Sequence, residues 1–347
     1  MIQATSDVRL VDEAPHHHEL PADHLAEHFQ DHIGVGIFGK SGDKDIVFVC
    51  TIYHVGGRQW GIQDGAVMQT SLVVSPTDVR TMRDNAFVAN RLDPISRCDD
   101  FEVVRTDDVV TWRAGQREIV CQPPHWHVVG EHMGVDVDIH IHGQGRSIPY
   151  HGTWDKLPTA GVAGNEQLGI AEGRITWQGV TYHLDEGWAV RERTCLGKGF
   201  DVVSLLSAKE GYLWGWVFSE EVKVFCFAQG GSGHFAARVF HHDGIIDFGP
   251  EHSSVEPLAA WTDPMTRSRQ TTGWRLRMQS DAGMLELEIH TWSRYLFGFH
   301  LAKGYTTHSG ALGRANGRFR FPDGREVRVD ERIAYFEQGF ATLLPAA

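Results

Sequence analysis

The chain has 347 residues, a formal net charge of -13 at pH 7, 41% hydrophobic residues and 22% charged residues. This length and composition are typical of a soluble globular protein with one large or two ordinary domains and ample material for a core. The acidic balance argues against an extended phosphate-binding surface, so we expect no nucleic-acid partner.

The N-terminal residues lack the basic flank and apolar core of a secretory signal, and no apolar run approaches the roughly 20 residues of a membrane-spanning helix. Five cysteines are scattered along the chain without a C-x-x-C pair: Cys50, Cys98, Cys121, Cys195 and Cys226. Such a pattern is typical of reduced, mostly buried thiols. We therefore expect a cytoplasmic protein without a membrane span, and the sequence leaves open whether it forms a homodimer.

Pro21–Ile33 is predicted to form a short helix, with the proline near its start. The apolar stripe of this helix would consist of Leu25, Phe29 and Ile33. His24, His28 and His32 are spaced four residues apart and would follow one another along the helix. This spacing suits either a metal site or a solvated helix face.

From Gly34 onward, short apolar runs separated by turn residues predict antiparallel strands. Gly134–His142 shows the clearest alternation, with the apolar residues Val135, Val137, Ile139 and Ile141 on one face. Its other face carries Asp136, Asp138, His140 and His142. One buried and one polar face are usual in antiparallel sheets. We expect an all-β protein of two barrels or sandwiches with few short helices, rather than alternating βαβ units.

Residues 143–172 are rich in glycine and other small residues, a composition typical of a linker. We place the domain boundary within this stretch. The chain is therefore predicted to consist of an N-terminal β-domain, residues 1–160, with a short histidine-rich helix, and a C-terminal β-domain, residues 161–347.

Residues 173–218 contain the strongest functional signal. Two short runs flank Gln178-Gly179, a tight-hairpin signature, and two further predicted strands follow, Trp188–Arg193 and Tyr212–Phe218. Alternate residues of a strand share a face. The residues projecting together would be Trp188, Val190 and Glu192 on one strand and Trp214, Trp216 and Phe218 on the other. If the two faces line one interior, they enclose a carboxyl group in aromatic walls; the alternative is core packing with Glu192 at a wet rim.

A carboxyl group in such a cavity would have a raised pKa and could act as a general acid. We assign Glu192 as proton donor or acceptor, with His183 and Asp185, which share a strand face, as its relay. Candidate substrate-binding residues are Tyr150, His151, Trp154, Tyr182, Trp188, Trp214 and Trp216; turn and linker packing is the alternative for the first three. Arg191 and Arg193 alternate away from Glu192 and are expected on the outer face or at a domain interface.

A metal site is the rival interpretation. His125, His127 and Glu131 have the H-x-H-x3-E spacing of cupin barrels, and imidazole with carboxylate suits Fe, Mn or Zn. A second candidate set on one strand face consists of Asp136, Asp138, His140 and His142. The chain has no G-x-G-x-x-G run between a predicted strand and a predicted helix and no G-x-S-x-G serine motif, so we expect no organic cofactor and no covalent serine chemistry.

Residues 173–218 resemble the AttH-like and carotenoid hydratase (hydroxyneurosporene synthase) family. The resemblance rests on a hairpin with Gly173, Ile175, Gly179, Tyr182 and Leu184, then on Gly187, Glu192-Arg193, Gly197 and the pair Trp214 and Trp216. A C-terminal hairpin, 317–329, followed by Tyr335-Phe-Glu337, extends it. The chain departs from the family where Arg193 replaces a histidine.

The resemblance implies two lipocalin-like β-domains with an apolar pocket in one of them or between them. It also implies cofactor-free chemistry on a small hydrophobic substrate. The leading hypothesis is a lyase of the hydratase or dehydratase type, or an isomerase, acting on a terpenoid, polyene or aromatic compound of secondary metabolism. The alternatives are a metal-dependent cupin-like oxygenase or isomerase using His125, His127 and Glu131, and a non-catalytic carrier of an apolar ligand.

Overall fold

A computed structural model describes residues 4–79, 87–92, 98, 100–198, 211–229, 234–242, 244–262, 269–302 and 304–343. Within these ranges the strands form two antiparallel sheets, here called sheet A and sheet B. The predicted all-β class with few short helices is confirmed.

Sheet A contains the first twelve strands. They are β1 (Phe29–Ser41), β2 (Lys44–Gly57), β3 (Ile62–Pro76), β4 (Phe87–Leu92), β5 (Phe101–Arg105), β6 (Val110–Ala114), β7 (Arg117–Gln122), β8 (His125–His132), β9 (Val135–Gly143), β10 (Val162–Trp177), β11 (Val180–His183) and β12 (Glu186–Leu196). Their order across the sheet is β4-β3-β2-β1-β12-β10-β9-β8-β7-β6-β5, and β11 pairs with β10 at the side.

Sheet B contains the other nine strands. They are β13 (Tyr212–Phe218), β14 (Val222–Gln229), β15 (His234–His241), β16 (Gly244–Phe248), β17 (Ser253–Thr262), β18 (Arg269–Ser280), β19 (Gly283–Leu301), β20 (Gly304–Arg320) and β21 (Glu326–Leu343). Their order is β16-β15-β14-β13-β21-β20-β19-β18-β17. Strands β1 and β12 hold the fourth and fifth places in the order of sheet A, and β13 and β21 hold the same places in the order of sheet B. The two pairs of strands therefore correspond in position.

The helices are short. They are α1 (Ala22–Glu27), α2 (Leu157–Ala160) and the 3-10 turns Leu10–Glu13, His17–Glu19, Trp154–Lys156 and Pro250–His252. In the parts of the chain that the structure describes, none of the helices has the length and apolar character needed to cross a bilayer.

The helix predicted over Pro21–Ile33 is too long. It ends at Glu27, and β1 begins at Phe29 and pairs along its length with β2 and β12. Nearly every residue of β1 is buried on both faces of the sheet. Its sequence therefore lacks the alternation of apolar and polar residues that distinguishes a strand from a helix. His32 is consequently a strand residue and does not share a helix face with His24.

The change of sheet does not fall at the predicted boundary between residues 160 and 161. Strands β10, β11 and β12 still belong to sheet A, and sheet B begins at Tyr212. The small residues of the supposed linker serve close strand packing instead. A Cβ at Gly164 would lie 2.7 Å from the carbonyl oxygen of Arg193, and one at Gly169 would lie 2.8 Å from the side chain of Ile141.

Each sheet folds over an apolar core of its own, and a third core lies between the two sheets. Ile33, Val35 and Ile37 of β1 point into sheet A, while Phe38 packs in the layer between the sheets. On the other side, Trp216 and Phe218 of β13 belong to that same layer. All five cysteines are free thiols and four of them are buried, as predicted.

The interior of sheet A contains two buried arginines, which are neutralised by Glu13 of the N-terminal segment and by Asp31 of β1. Nη2 of Arg191 lies 2.6 Å from Oε2 of Glu13, and Nη1 of Arg193 lies 2.5 Å from Oδ1 of Asp31. All four side chains are fully buried. The expectation that these arginines lie on the outer face or at a domain interface is wrong, because their acidic partners enter the sheet interior from distant parts of the chain.

Candidate functional site

A cavity of about 170 Å³ lies between the two sheets. Its walls are mostly apolar: Val49, Val190 and Leu196 come from sheet A, and Trp214, Phe227, Phe297 and Phe299 from sheet B. Polar side chains meet in it from both sides: Gln30, His32, Thr51, Tyr53, Gln69, Tyr150, His151, Glu192, Tyr212, His308, Tyr335 and Glu337. Pockets of this kind, apolar with a few converging polar groups, are typical of small-molecule sites.

Glu192 lies on β12, opposite Gly34 of β1. Because residue 34 is a glycine, there is space for the Glu192 carboxylate. A Cβ on Gly34 would lie 3.4 Å from Oε2 of Glu192 and 2.9 Å from Oγ1 of Thr51. Val190, two residues earlier on the same face, also lines the cavity.

Two side chains hold the Glu192 carboxylate. The hydroxyl of Tyr150 donates a hydrogen bond to Oε1, and Nε2 of His32 lies 3.3 Å from Oε2. The amide nitrogen of Gln30 lies 3.2 Å from Nδ1 of His32 and fixes the imidazole from behind. The hydroxyl of Tyr150 also lies 3.4 Å from Oγ1 of Thr194. The carboxylate is therefore oriented from two directions while part of it, with 29% of the side-chain surface accessible, remains open.

The pKa of Glu192 is lowered, whereas the sequence predicted a raised pKa. Burial acts to raise its pKa, but the charge and hydrogen bond of His32 and the hydrogen bond of Tyr150 outweigh burial, and the pKa is lowered. Burial and the charge of Glu192 raise the pKa of Tyr150 well above its usual value. The pair therefore consists of an ionised carboxylate and a neutral phenol, so Glu192 is suited to accept a proton rather than to donate one.

A second carboxylate cluster faces the cavity from sheet B. The hydroxyl of Tyr212 donates to Oε1 of Glu337, and the hydroxyls of Tyr335 and Tyr295 lie 2.9 and 3.2 Å from Oε2. Nδ1 of His308 lies 2.9 Å from the hydroxyl oxygen of Tyr212. Burial and the Glu337 charge raise the pKa of all three phenols well above the usual value, so the three hydroxyls stay protonated at neutral pH and can donate hydrogen bonds.

A third carboxyl group, Glu166 of β10, supports the wall without being among the residues that line the cavity. It accepts hydrogen bonds from the indole nitrogens of Trp214 and Trp216, the second at 3.2 Å. Burial and the negative charge of Glu192 raise its pKa well above the usual value. The carboxyl group of Glu166 therefore holds a proton more readily than an exposed glutamate does, and its hydrogen bond fixes the orientation of the Trp214 ring.

The structure brings together part of the predicted site. Glu192, Tyr150, His151 and Trp214 all line the cavity. Trp216 shares the predicted face with Trp214 but is fully buried, with its ring stacked on Phe218. Trp188 also stacks on Phe218, with Nζ of Lys223 4.8 Å from its ring centre. These two tryptophans pack the layer between the sheets and do not line the cavity.

The other predicted residues lie elsewhere. His183 is exposed on β11, and Asp185 is exposed and accepts a hydrogen bond from the backbone of Gly42 at 2.6 Å. Tyr182 packs against the core of sheet A. Trp154 is buried near the N-terminal segment, stacked on His16 with a ring distance of 4.2 Å. The structure therefore does not assemble the relay proposed for Glu192.

Sequence reasoning missed His32, Tyr212, His308 and Glu337. His32 was assigned to a helix, and its partner Glu192 is 160 positions further on. The sequence contains one signal that could have identified Glu337. Ala189-Val-Arg-Glu192 and Ala334-Tyr-Phe-Glu337 both have an alanine three residues before a glutamate, so Glu337 could have been matched to Glu192. Both segments are centre strands that face the cavity.

The predicted cupin-like triad is not assembled. Oε1 of Glu131 accepts a hydrogen bond from the backbone of Gly134 at 2.5 Å, at the turn after β8. His125 and His127 share the face of β8 opposite to Trp126 and Val128, which are buried in the core of sheet A. The two histidines therefore point away from the sheet interior, and neither lines the cavity.

Several solved structures share this fold. A putative AttH from Nitrosomonas europaea is 11% identical, with a TM-score of 0.59 over 95% of each chain. Kievitone hydratase from Nectria haematococca is 10% identical, with a TM-score of 0.53 over 96% of this chain and 93% of that chain. CghA is 11% identical, with a TM-score of 0.56 over 91% of this chain and 89% of that chain.

No protein-family model matches the chain, and no curated protein matches it. At this level of identity the solved structures establish the fold alone. They confirm the resemblance that the sequence shows in residues 173–218 and extend it to more than nine-tenths of the chain. The chain has the all-β, lipocalin-like fold of the AttH-like group.

Proposed function

We propose that the protein is an acid–base enzyme, a lyase of the hydratase or dehydratase type or an isomerase, acting on a hydrophobic metabolite in the cavity between the sheets. The observation that carries this proposal is the ionised Glu192 carboxylate in a largely apolar cavity, held by Tyr150 and His32. Oriented carboxylates with shifted pKa values are frequent at catalytic sites.

In the dehydration direction Glu192 removes a proton from a carbon of the substrate. The electrons of the broken C–H bond form the C=C bond, the C–O bond breaks, and the hydroxyl group leaves as water after taking up a proton. The neutral phenol of Tyr212, hydrogen-bonded to Glu337 and His308, is the donor that we assign to that proton. Hydration is the reverse, and isomerisation returns the first proton to a different carbon.

The aromatic wall contributes to the same chemistry. Trp214 and Phe227 face the cavity, and an aromatic face stabilises positive charge that develops on the substrate by roughly 0.5–2 kcal/mol. The cavity of about 170 Å³ is close in size to the roughly 150 Å³ apolar cavity that accommodates benzene in another protein. A compact aromatic or terpenoid group therefore fits the cavity better than an extended polyene.

The comparisons support the reaction class. One of the proteins with this fold is kievitone hydratase, a hydratase by name, and its fold covers nearly the whole of this chain. We carry over only the class of reaction, since identity of 10% leaves the substrate open.

The test is turnover of a panel of apolar alkenes and alcohols in deuterated water, read out as incorporation of solvent deuterium into carbon positions. We expect Glu192→Gln to lower turnover by roughly 10²–10⁴-fold, the usual contribution of a positioned acid or base. Ligand binding and thermal stability should change little. Glu186→Gln is the matched control, since it makes the same change at an exposed position of the same strand. Wild-type turnover in Glu192→Gln would contradict the assignment.

A non-catalytic carrier is the second candidate, because the cavity walls are mostly apolar. A carrier should bind members of the same panel tightly, exchange no deuterium and bind equally well after Glu192→Gln. Binding with exchange favours the enzyme, and binding without exchange favours the carrier.

A further inference from the structure

Four histidines and an aspartate share the outward face of the hairpin formed by β8 and β9. The strand register places His125 opposite His142 and His127 opposite His140, with Asp138 on the same face of β9. The alternate residues of both strands, among them Trp126 and Ile139, are buried in the core of sheet A. The five polar side chains therefore lie on the solvent side of the sheet, away from the cavity between the sheets.

Two of the imidazoles converge on one carboxylate oxygen. Nε2 of His127 lies 2.8 Å from Oδ1 of Asp138, and Nε2 of His140 lies 3.9 Å from the same oxygen. The potential ligand atoms of the three residues all lie within 4.8 Å of one another. In a tetrahedral zinc site with bonds of about 2.1 Å, ligand atoms are about 3.4 Å apart. The present arrangement is therefore within small side-chain rotations of a metal-binding geometry.

The surrounding residues hold the two imidazoles side by side and contact the carboxylate. The rings of His127 and His140 are stacked, with centroids 4.1 Å apart and planes 5° apart, so the rings must tilt towards each other before both nitrogens can bind one ion. Arg174 of β10 lies 3.1 Å from Asp136 and 3.9 Å from Oδ2 of Asp138. It therefore contacts the carboxylate oxygen that the imidazoles do not use. Partners of this kind orient metal ligands in known sites.

We infer that the β8–β9 hairpin carries a surface site for a divalent late transition metal, with His127, Asp138 and His140 as its protein ligands. Two imidazole nitrogens and one carboxylate oxygen suit Zn²⁺, Ni²⁺ or Cu²⁺ better than Mg²⁺ or Ca²⁺, which prefer oxygen ligands. Water completes the coordination, because the face is open to solvent. This site differs from the H-x-H-x3-E triad, since Glu131 takes no part and the ligands come from two adjacent strands.

The neighbouring pair provides a matched control. His125 and His142 lie on the same hairpin face, with their Nδ1 atoms 3.1 Å apart, but Asp138 is hydrogen-bonded to His127 and not to them. Replacing this pair removes the same number of histidines from the same strands. Both double variants leave the buried face of the hairpin unchanged.

The experiment is calorimetric titration of Zn²⁺ into untagged, chelator-treated protein. We expect the wild type to bind one equivalent of Zn²⁺ per chain. The double variant His127→Ala with His140→Ala should lower the affinity for Zn²⁺ by more than about tenfold, since loss of an orienting partner alone lowers metal affinity roughly 10–100-fold. His125→Ala with His142→Ala should keep the equivalent. Thermal melts of both variants in the absence of metal check that each is folded.

Three outcomes would overturn the inference: no Zn²⁺ binding by the wild type, unchanged binding in the His127 and His140 variant, or lost binding in the His125 and His142 variant. The absorption spectrum of the Co²⁺-substituted protein gives an independent readout of the nitrogen and oxygen ligands. The inference does not depend on the proposed function, because the site and the cavity lie on different faces of sheet A.

Discussion

Glu192 and Glu337 face one cavity from corresponding strands of the two sheets. Glu192 lies on β12, between β1 and β10, and Glu337 lies on β21, between β13 and β20. Each accepts a hydrogen bond from a tyrosine hydroxyl, Tyr150 or Tyr212. Two carboxyl groups with different partners in one apolar site are a common way to divide the roles of acid and base.

Glu337→Gln should lower turnover without unfolding the protein. The amide has the shape of the carboxylate but removes the charge that holds the three tyrosine hydroxyls in their present arrangement. We expect a loss of roughly 10²–10⁴-fold in kcat, as for a positioned acid or base. If the two glutamates act in one reaction, the double variant with Glu192→Gln should lose less than the product of the single losses. An unchanged kcat in Glu337→Gln would remove Glu337 from the mechanism.

His32→Gln should move the acidic limb of the pH profile of kcat/KM to higher pH. The charge and hydrogen bond of His32 lower the pKa of Glu192 against the effect of burial, so removing the imidazole raises that pKa. A base works only above its pKa, and activity is therefore lost at a higher pH than in the wild type. His252→Gln, an exposed position outside the cavity, is the control. A coincident acidic limb in wild type and variant would show that His32 does not set the pKa of Glu192.

Glu13→Gln should destabilise the protein by roughly 3–5 kcal/mol, because it leaves the buried guanidinium of Arg191 without its counter-charge. Replacing both partners with methionine should cost much less, since no unpaired charge remains in the interior. Urea unfolding of the two variants gives the comparison. Equal stabilities of Glu13→Gln and the wild type would mean that water reaches the pair.

Acidification should destabilise the fold partly through His132. Burial and the positive charge of Arg117 lower the pKa of His132 to about 4, whereas an unfolded chain has a histidine pKa of about 6.5. The unfolded state therefore binds the proton more tightly, so the stabilisation is complete above about pH 6.5 and declines towards pH 4. Burial also lowers the pKa values of His16 and His54, which act in the same direction.

The free energy of unfolding should accordingly fall between pH 7 and pH 5, at a rate of up to about 1.4 kcal/mol per pH unit for each such histidine. His132→Gln should flatten this dependence without abolishing it. Urea unfolding at several pH values measures the slope, and the exposed substitution His252→Gln should leave it unchanged. A variant with the wild-type slope would remove His132 from this account.

The local pattern was sufficient to predict the fold class and part of one wall of the cavity. Strand alternation depends only on neighbours in sequence, so it placed Val190 with Glu192 and Trp214 with Trp216 correctly. It could not tell which tryptophans reach the cavity, because that depends on which residues of the opposite sheet cover them. Trp216 is covered by Phe218 and Phe225, while Trp214 remains at the wall.

The rest of the site depends on partners that are distant in sequence. Arg191 and Arg193 are charged, and charged residues are usually exposed. Nothing near them in sequence indicates that Glu13 and Asp31 lie with them in the interior of sheet A. For the same reason the pKa of Glu192 was predicted in the wrong direction. Its aromatic neighbours are local, but His32 and Tyr150, which lower the pKa, are not.

The burial of Glu13 against Arg191 has a consequence for the order of synthesis. The two residues are 178 positions apart, which at roughly 5–20 residues per second corresponds to about 9–36 s of translation. During that interval the nascent chain carries Glu13 and Asp31 without the arginines that neutralise them. Because β1 pairs with β12, the centre of sheet A is completed only after β12 has emerged from the ribosome.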